Sequence, residues 1–245
     1  MRVYARLIFS PIIRMILAMP AHRIIPSDFF DPEYPVSIDW YLFDPSQQAS
    51  FPYDELTGHE FIELLYVRAG TGMHQVGKSR YPIAPGDVFV IHPGSEHALH
   101  DPHQLNIVHI AYLPSVLTHC EAQLLAIPGY HALFTLEPAL QQQQQFRSHL
   151  RLQADSEREV KALIARMLDE RYAGEAGHKA MLQAYFTTLV IYLSRQYTAT
   201  TPSSRTLLQV GTVISALETS YTNNFTLEQL AELAHLSVTT LVRRF

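Results

Sequence analysis

Hydrophobic and polar positions change rhythm along this chain. Between residues 35 and 114 the apolar residues come in short runs, and after Pro138 they recur at three-and-four spacing. Val36-Ser37-Ile38-Asp39-Trp40-Tyr41 and Phe61-Ile62-Glu63-Leu64-Leu65-Tyr66-Val67 are β-rich runs bounded by turn residues, which predicts strands. Gly77-Lys78 sits between two runs as a hairpin turn would, and Pro85-Gly86-Asp87 predicts a turn before Val88-Phe89-Val90-Ile91. Leu105 to Tyr112 predicts a further strand. Many short strands at close spacing argue for a sandwich or a small barrel.

The helical half follows. Val160, Leu163, Ile164, Met167, Leu168 and Tyr172 form one apolar helix face, which Gly174 and Gly177 terminate. Met181, Leu182, Tyr185, Phe186, Leu189, Val190 and Leu193 form a second. Together they predict a helical hairpin that covers the barrel or pairs with another subunit. The glutamine run from Gln141 to Gln145 reads as solvated surface. Thr198 to Ser204 has linker composition and marks the expected domain boundary. Beyond it, Val210, Val213, Ile214, Leu217 and Tyr221 predict one more amphipathic helix. Thr226-Leu227-Glu228-Gln229 matches a capping box. The short helix it opens ends near His235, and Ser237 caps the next, which runs from Val238 to Phe245. Two short helices across a tight turn make a helix-turn-helix, whose second helix enters the major groove.

Composition adds limits. At 245 residues the chain is long enough for one or two domains at about 150 residues each. A net charge of -5 gives no global pull toward nucleic acid. From residue 198 onward Arg205, Arg243 and Arg244 balance Glu218, Glu228 and Glu232, so that stretch is neutral. Cys120 is the only cysteine, which excludes an intrachain disulfide and fits a reducing, cytoplasmic compartment. The first twenty residues are apolar with Arg2, Arg6 and Arg14, but Pro11 and Arg14 interrupt any signal-peptide core. They read as a disordered extension over 1–23, or as translation from upstream of a true start at Met15 or Met19. No stretch approaches the roughly 20 apolar residues of a membrane span.

Leu230-Ala231, Ala234-His235-Leu236-Ser237, Leu241, Arg243 and Phe245 resemble the first helix-turn-helix of the AraC family of transcription regulators. The resemblance implies that Ala231 packs close between helices, that Leu236, Leu241 and Phe245 are core, and that Val238, Thr239, Thr240 and Arg243 face DNA. It also implies promoter DNA, RNA polymerase and a second copy of the chain as partners. The family's unit has two such motifs, and this chain ends on the first recognition helix, so the sequence reads as truncated. With few cations to contact phosphate, the part present should bind DNA poorly.

His59-Glu60-Phe61-Ile62-Glu63 with Gly70, and Gly86 through Gly94-Ser95-Glu96-His97, resemble the two cupin motifs. By position His59, Glu63 and His97 match three of the four ligands of metal-binding cupins, while Thr57 stands where the first histidine would be. Two histidines and a carboxylate can hold a divalent metal. In the regulator branch such positions more often contact an effector, and that is the reading adopted: His59, Glu63 and His97 bind the effector, with no metal or other cofactor. His74, His92, His100, His103 and His109 are assigned no chemistry. Ile25 to Phe30, the Glu63-Leu64 strand and the Gly86-Asp87-Val88-Phe89 turn look most like rhamnose-type regulators, which implies a deoxyhexose effector.

The expected fold is thus a mainly β cupin-like barrel with a helical hairpin, followed by an all-α helix-turn-helix unit. Residues 24–197 would form the effector-binding and dimerisation domain and 205–245 the DNA-binding domain. The expected function is an effector-gated regulator, not an enzyme. A metal-dependent cupin enzyme and a truncated dominant-negative regulator are the rival readings.

Overall fold

The computed structural model describes residues 25, 30, 34–43, 55–142, 149–197, 202–220 and 222–244. The N-terminal extension, most of the Ile25–Phe30 stretch, Gln143 to Gln145, Thr198 to Thr201, Tyr221 and Phe245 lie outside them. Contacts divide the described residues into two compact units, one drawn from 1–85 and 91–113, the other from 86–90 and 114–245.

The first unit is an antiparallel sheet built on its longest strand. Strand β1 (Val36–Phe43) pairs with β6 (Glu96–Tyr112) from Val36↔Tyr112 to Phe43↔Leu105. On the other side of β6 lies β3 (Ile62–Val76), from Ile62↔Tyr112 to Val76↔His97. The short β2 (Thr57–Gly58) pairs with His97 and Glu96, and β4 (Ser79–Ile83) folds back on β3 through the expected Gly77-Lys78 turn. Ile38, Leu64, Val108 and Ile110 are buried in the core that results.

Strand β6 extends back to Glu96, well before the expected start at Leu105. Asp101, Pro102 and Gln104 look like a turn in sequence, and Asp101 and Gln104 do have positive φ. The strand absorbs them as an irregularity, with register shifts against β3 between Val67 and Met73. Gly70 makes this possible: its φ is 73°, and a Cβ there would overlap the carbonyl oxygen of Gln104.

In the second unit β5 (Asp87–Ile91) pairs with β7 (Leu150–Arg151), placing Asp87 opposite Arg151. Arg151 donates from Nε to Oδ1 at 2.6 Å and from Nη2 to Oδ2 at 2.9 Å, which neutralises a fully buried carboxylate. A 3₁₀ turn (Pro114–Cys120) leads to α1 (Glu121–Leu125), α2 (Pro128–His131), a π-helical turn (Ala132–Leu136) and α3 (Glu137–Gln142). These short pieces have no helical period long enough to show in the sequence.

The hairpin is α4 (Ala154–Ala173) and α5 (His178–Gln196), separated by Gly174 in the left-handed region as its C-cap. Val160, Leu163, Ile164 and Met167 are buried on α4, and Leu182, Phe186, Leu189, Val190 and Leu193 on α5. Tyr172 and Met181, expected on the same faces, are exposed because they lie at the hairpin tip.

Helix α6 (Pro202–Thr219) takes in Pro202, Ser203 and Ser204, which the sequence placed in the linker. Proline is compatible with a first helical turn, where its missing N–H is not needed. The helix packs on α2 through Gly211, where a Cβ would overlap the Pro128 carbonyl oxygen. It also packs on α7 (Leu227–Leu233), where Val213 joins Leu230, Ala231, Ala234 and Leu241 of α8 (Val238–Arg244) in one apolar cluster. The mainly β part, helical hairpin and helix-turn-helix expected from the sequence are therefore all present, in that order. Among the described residues no helix is long and apolar enough to cross a membrane.

Candidate functional site

The three residues singled out in the β-rich unit converge. The Thr57↔His97 pairing sets His59 next to His97, and the start of β3 brings Glu63 between them. His97 Nε2 lies 3.2 Å and His59 Nε2 3.6 Å from the same oxygen, Glu63 Oε2. The two imidazoles meet edge to face with centroids 5.4 Å apart. His59 and Glu63 are buried and His97 nearly so.

Each member has a partner on its outer side. His59 Nδ1 donates to the Phe61 carbonyl at 2.7 Å, because a carbonyl can only accept. That places a proton on Nδ1 and aims Nε2 inward. Glu63 Oε1 accepts from His109 Nδ1 at 2.7 Å. His97 Nδ1 is 3.3 Å from His74 Nε2, and His74 Nδ1 is 3.0 Å from the Tyr81 hydroxyl. The inner atoms His59 Nε2 and Glu63 Oε2 have no hydrogen-bond partner among the described residues.

Electrostatics follows from the packing. Burial alone would raise the Glu63 pKa, but His109 and His97 outweigh it and hold the carboxyl well below its usual range. Burial lowers the His97 pKa, with Glu63 partly opposing. The centre is an ionised carboxylate facing two imidazole nitrogens.

His74, His109 and Tyr81 were not singled out from the sequence. Only the strand register assembles them: His74↔Leu99 sets His74 diagonal to His97, and Leu65↔His109 sets His109 one same-face step from Glu63. A charge buried this deeply requires partners, but nothing in the sequence says which.

The cupin resemblance raises a metal, and the donor set can be tested for fit. Two ligands bonded at about 2.0–2.2 Å to one ion at tetrahedral or right angles stand roughly 2.8–3.6 Å apart. The two nitrogen–carboxylate separations, 3.2 and 3.6 Å, fall in that range, and all three donor atoms lie within 4.8 Å of one another. The residues fit a divalent ion even though Thr57 supplies no fourth ligand.

The helix-turn-helix is built as its sequence predicts. Thr226 Oγ1 accepts from the Gln229 amide and Gln229 Oε1 accepts from the Thr226 amide, a complete capping box. His235 takes a φ of 52° in the turn, and the Ser237 hydroxyl caps α8 by accepting from the Thr240 amide. Ala231 and Leu241 are buried as expected. Of the candidate DNA-facing residues, Thr239 and Arg243 are exposed. Val238 instead packs against the apolar cluster, and the Thr240 hydroxyl bonds that of Ser237.

Comparison with known proteins identifies a family. The AraC-like ligand binding domain family matches residues 42–184. An HTH-type transcriptional activator RhaR of Enterobacter sp. (strain 638) is 26% identical over 189 residues, 76% of this chain and 63% of its own length. The activator of the same name from Escherichia coli (strain K12) is 28% identical over 215 residues, covering 83% of this chain and 72% of that one. The chain thus spans less than two thirds of the Enterobacter relative. Among solved structures, a cupin 2 conserved barrel protein from Salinispora arenicola matches at a TM-score of 0.29 and 19% identity, over 36% of this chain and 72% of its own. The AraC-like transcriptional activator CuxR matches at 0.35 and 11%, over 76% of this chain and 60% of its own. At these scores the structural likenesses are loose.

Proposed function

The chain belongs to the family of AraC-like ligand binding domains, and from that premise we propose that it is a DNA-binding transcription regulator gated by a small-molecule effector, a sugar, held in the β-rich unit. The observation that carries the reading is the Glu63 carboxylate, buried among His59, His97 and His109 with one oxygen lacking a hydrogen bond. A charge in that position costs free energy unless something pairs with it. Sugar hydroxyls supply such donors, and they also accept where a histidine donates. His59, Glu63 and His97 are then the effector contacts.

The output is the helix-turn-helix. Thr239 and Arg243 on the open face of α8 would meet bases and backbone in promoter DNA, while Val238 and Thr240 hold the helix in place. Helix α6 supports α7 through Val213 and is seated on α2 through Gly211, so a change at α2 reaches the DNA-binding helices through one rigid element. An effector that favours one arrangement shifts the population by its differential affinity. In this reading residues 24–197 sense the effector and dimerise, the hairpin offers exposed Tyr172 and Met181 to a second copy, and 205–245 bind DNA. RNA polymerase is the downstream partner, the compartment is the cytoplasm, and no reaction is catalysed. The named relatives are transcriptional activators, which supports regulation over catalysis.

The test is calorimetric titration of the full chain with pentoses, hexoses and deoxyhexoses, followed by mobility shift on the DNA upstream of its own gene. A deoxyhexose should bind once per chain, change DNA affinity, and lose both effects in Glu63→Ala. If no sugar binds, the effector class is wrong; if one binds without changing DNA affinity, the gating is wrong.

A further inference from the structure

Glu137 and Gln141 stand one turn apart on one face of α3, and both are buried, although the sequence reads Gln141 as the start of a solvated run. Their polar atoms are poorly served. Tyr197 donates its hydroxyl to Glu137 Oε1 at 2.8 Å. Glu137 Oε2 and both amide atoms of Gln141 have no hydrogen-bond partner among the described residues. Glu137 also lacks a countercharge there. The π-helical turn before it, Ala132–Leu136, holds no ionisable residue. Tyr130 and His131 on α2, Tyr192 and Arg195 in the last turns of α5 and Arg205 on α6 exert no influence on the carboxyl; only the Tyr197 hydroxyl reaches it. His131 is committed to the Leu125 carbonyl, and Arg195 and Arg205 are exposed.

We propose that the Glu137–Tyr197 pair is a proton-gated latch: α3 stays packed while the Glu137 carboxyl is protonated, and detaches when it ionises. The two protonation states differ in what burial asks of them. A neutral carboxyl bonded to Tyr197 tolerates an apolar setting, whereas a carboxylate there has one hydrogen bond and no cation. Burial accordingly pushes the Glu137 pKa well above the usual carboxyl range. When α3 lifts, water reaches the carboxylate and the Gln141 amide together, so opening relieves three unpaired atoms at once. The segment is suited to release, since it spans only Glu137–Gln142 and follows a π-helical turn, a rare geometry that recurs at functional sites. Its place gives the release a consequence. Tyr197 closes α5, and Gly129 of α2 lies against both Tyr197 and the Ser194 carbonyl. Helix α6 starts at Pro202 and is itself seated on α2 through Gly211. Freeing Tyr197 therefore loosens the corner on which α6 and the helix-turn-helix behind it rest.

The test is amide hydrogen exchange of the full chain from about pH 5 to pH 8, expressed as protection factors so that the intrinsic rise of exchange with pH cancels. A carboxyl that is protonated when buried and ionised when exposed makes the opening constant rise about tenfold per pH unit, from the ordinary value of about 4.3 up to the raised folded value. Protection of residues 139–142 should fall at that rate in the wild type, while α4 keeps its protection. Glu137→Gln keeps an acceptor for Tyr197 and cannot ionise, so its protection should not vary with pH. Tyr197→Phe removes the bond and should lower protection of the same residues already at pH 5. Glu121→Gln, at an exposed carboxyl on α1, should behave as the wild type. Protection of 139–142 that is flat with pH in the wild type, or that falls equally in Glu137→Gln, would overturn the latch. A parallel fall in α4 would also overturn it, because the event would then be global unfolding. The link to DNA rests on the regulator reading and is read separately, as a pH dependence of mobility shift that differs between wild type and Glu137→Gln. An exchange response without that difference would keep the latch and remove its link to the output.

Discussion

Gly211, in the middle of α6, lies against the carbonyl oxygen of Pro128 so closely that a Cβ on it would overlap that oxygen. A glycine inside a helix costs about 1 kcal/mol relative to alanine in propensity, so its place here is owed to packing. Gly129 makes the reciprocal approach, with the Ser194 carbonyl oxygen where its Cβ would be. Three elements, α2, α5 and α6, therefore meet backbone to backbone.

Gly211→Ala is accordingly expected to destabilise the chain despite the better helix propensity of alanine. The new methyl meets backbone rather than a flexible side chain, so α6 must shift, at roughly 1–3 kcal/mol for overpacking. Urea unfolding should show a lower midpoint. A midpoint equal to or above that of the parent would mean that α6 is not seated on α2.

The Glu137 carboxyl gives a pH dependence. It is buried on α3, and burial pushes its pKa well above the usual range, with the Tyr197 hydroxyl opposing as a donor to Oε1 at 2.8 Å. An acid whose folded pKa is raised binds its proton more tightly folded than unfolded. Its contribution is fully present below the unfolded value of about 4.3 and is lost as pH rises toward the folded value. Glu137→Gln keeps an acceptor for Tyr197 and removes the ionisation. Its stability relative to the parent should increase from pH 5 to pH 8 in thermal melts. A difference that is flat with pH would show that Glu137 does not titrate abnormally.

Much of this layout was legible from local pattern. β-Rich runs bounded by turn residues located β1 and the first half of β3, the two apolar stripes located α4 and α5, and Thr226 with Gln229 marked the start of α7. What stayed hidden depends on pairing at a distance. His74 and His109 carry no local signal; their place beside His97 and Glu63 comes from the register of β3 on β6 and from the irregularity at Gly70. Helices α1 to α3 are too short for a period, and Pro202 to Ser204 have the composition of a linker yet form the first turn of α6. The inward atoms of His59, Glu63 and His97 could be named as a set, but their convergence on one point required the sheet.

The capping box predicts a local effect. Thr226→Ala removes the acceptor for the Gln229 amide and the reciprocal arrangement with it, at about 1 kcal/mol. Helix α7 spans only Leu227–Leu233, so a loss of this size should fray it from the start. Amide hydrogen exchange of residues 227–233 should quicken while that of β3 and β6 stays as it was. Equal acceleration in both regions would mean that the change acts on global stability rather than on this helix.

Arg243 and Val238 separate recognition from support on the same helix. Both sit where the resemblance puts DNA contacts, yet Arg243 is exposed and Val238 packs against the cluster of Val213, Leu230, Ala231 and Leu241. A guanidinium on the open face of α8 can reach a base edge or a phosphate, and a good bidentate base contact is worth roughly 1–3 kcal/mol. Arg243→Ala should therefore weaken binding to the specific promoter fragment by about 5- to 150-fold, on that range, and leave the melting temperature unchanged. If the contact is to phosphate, the loss should be equal on unrelated DNA and the salt dependence should be shallower. Val238→Ala removes two partly buried methyl groups' worth of packing and should cost about 1 kcal/mol, with the melting temperature falling and any DNA effect recovered at low temperature. Mobility-shift titrations at two salt concentrations, run beside thermal melts, distinguish the cases. An Arg243→Ala chain that melts early but binds DNA normally would place Arg243 in the fold and remove it from the interface.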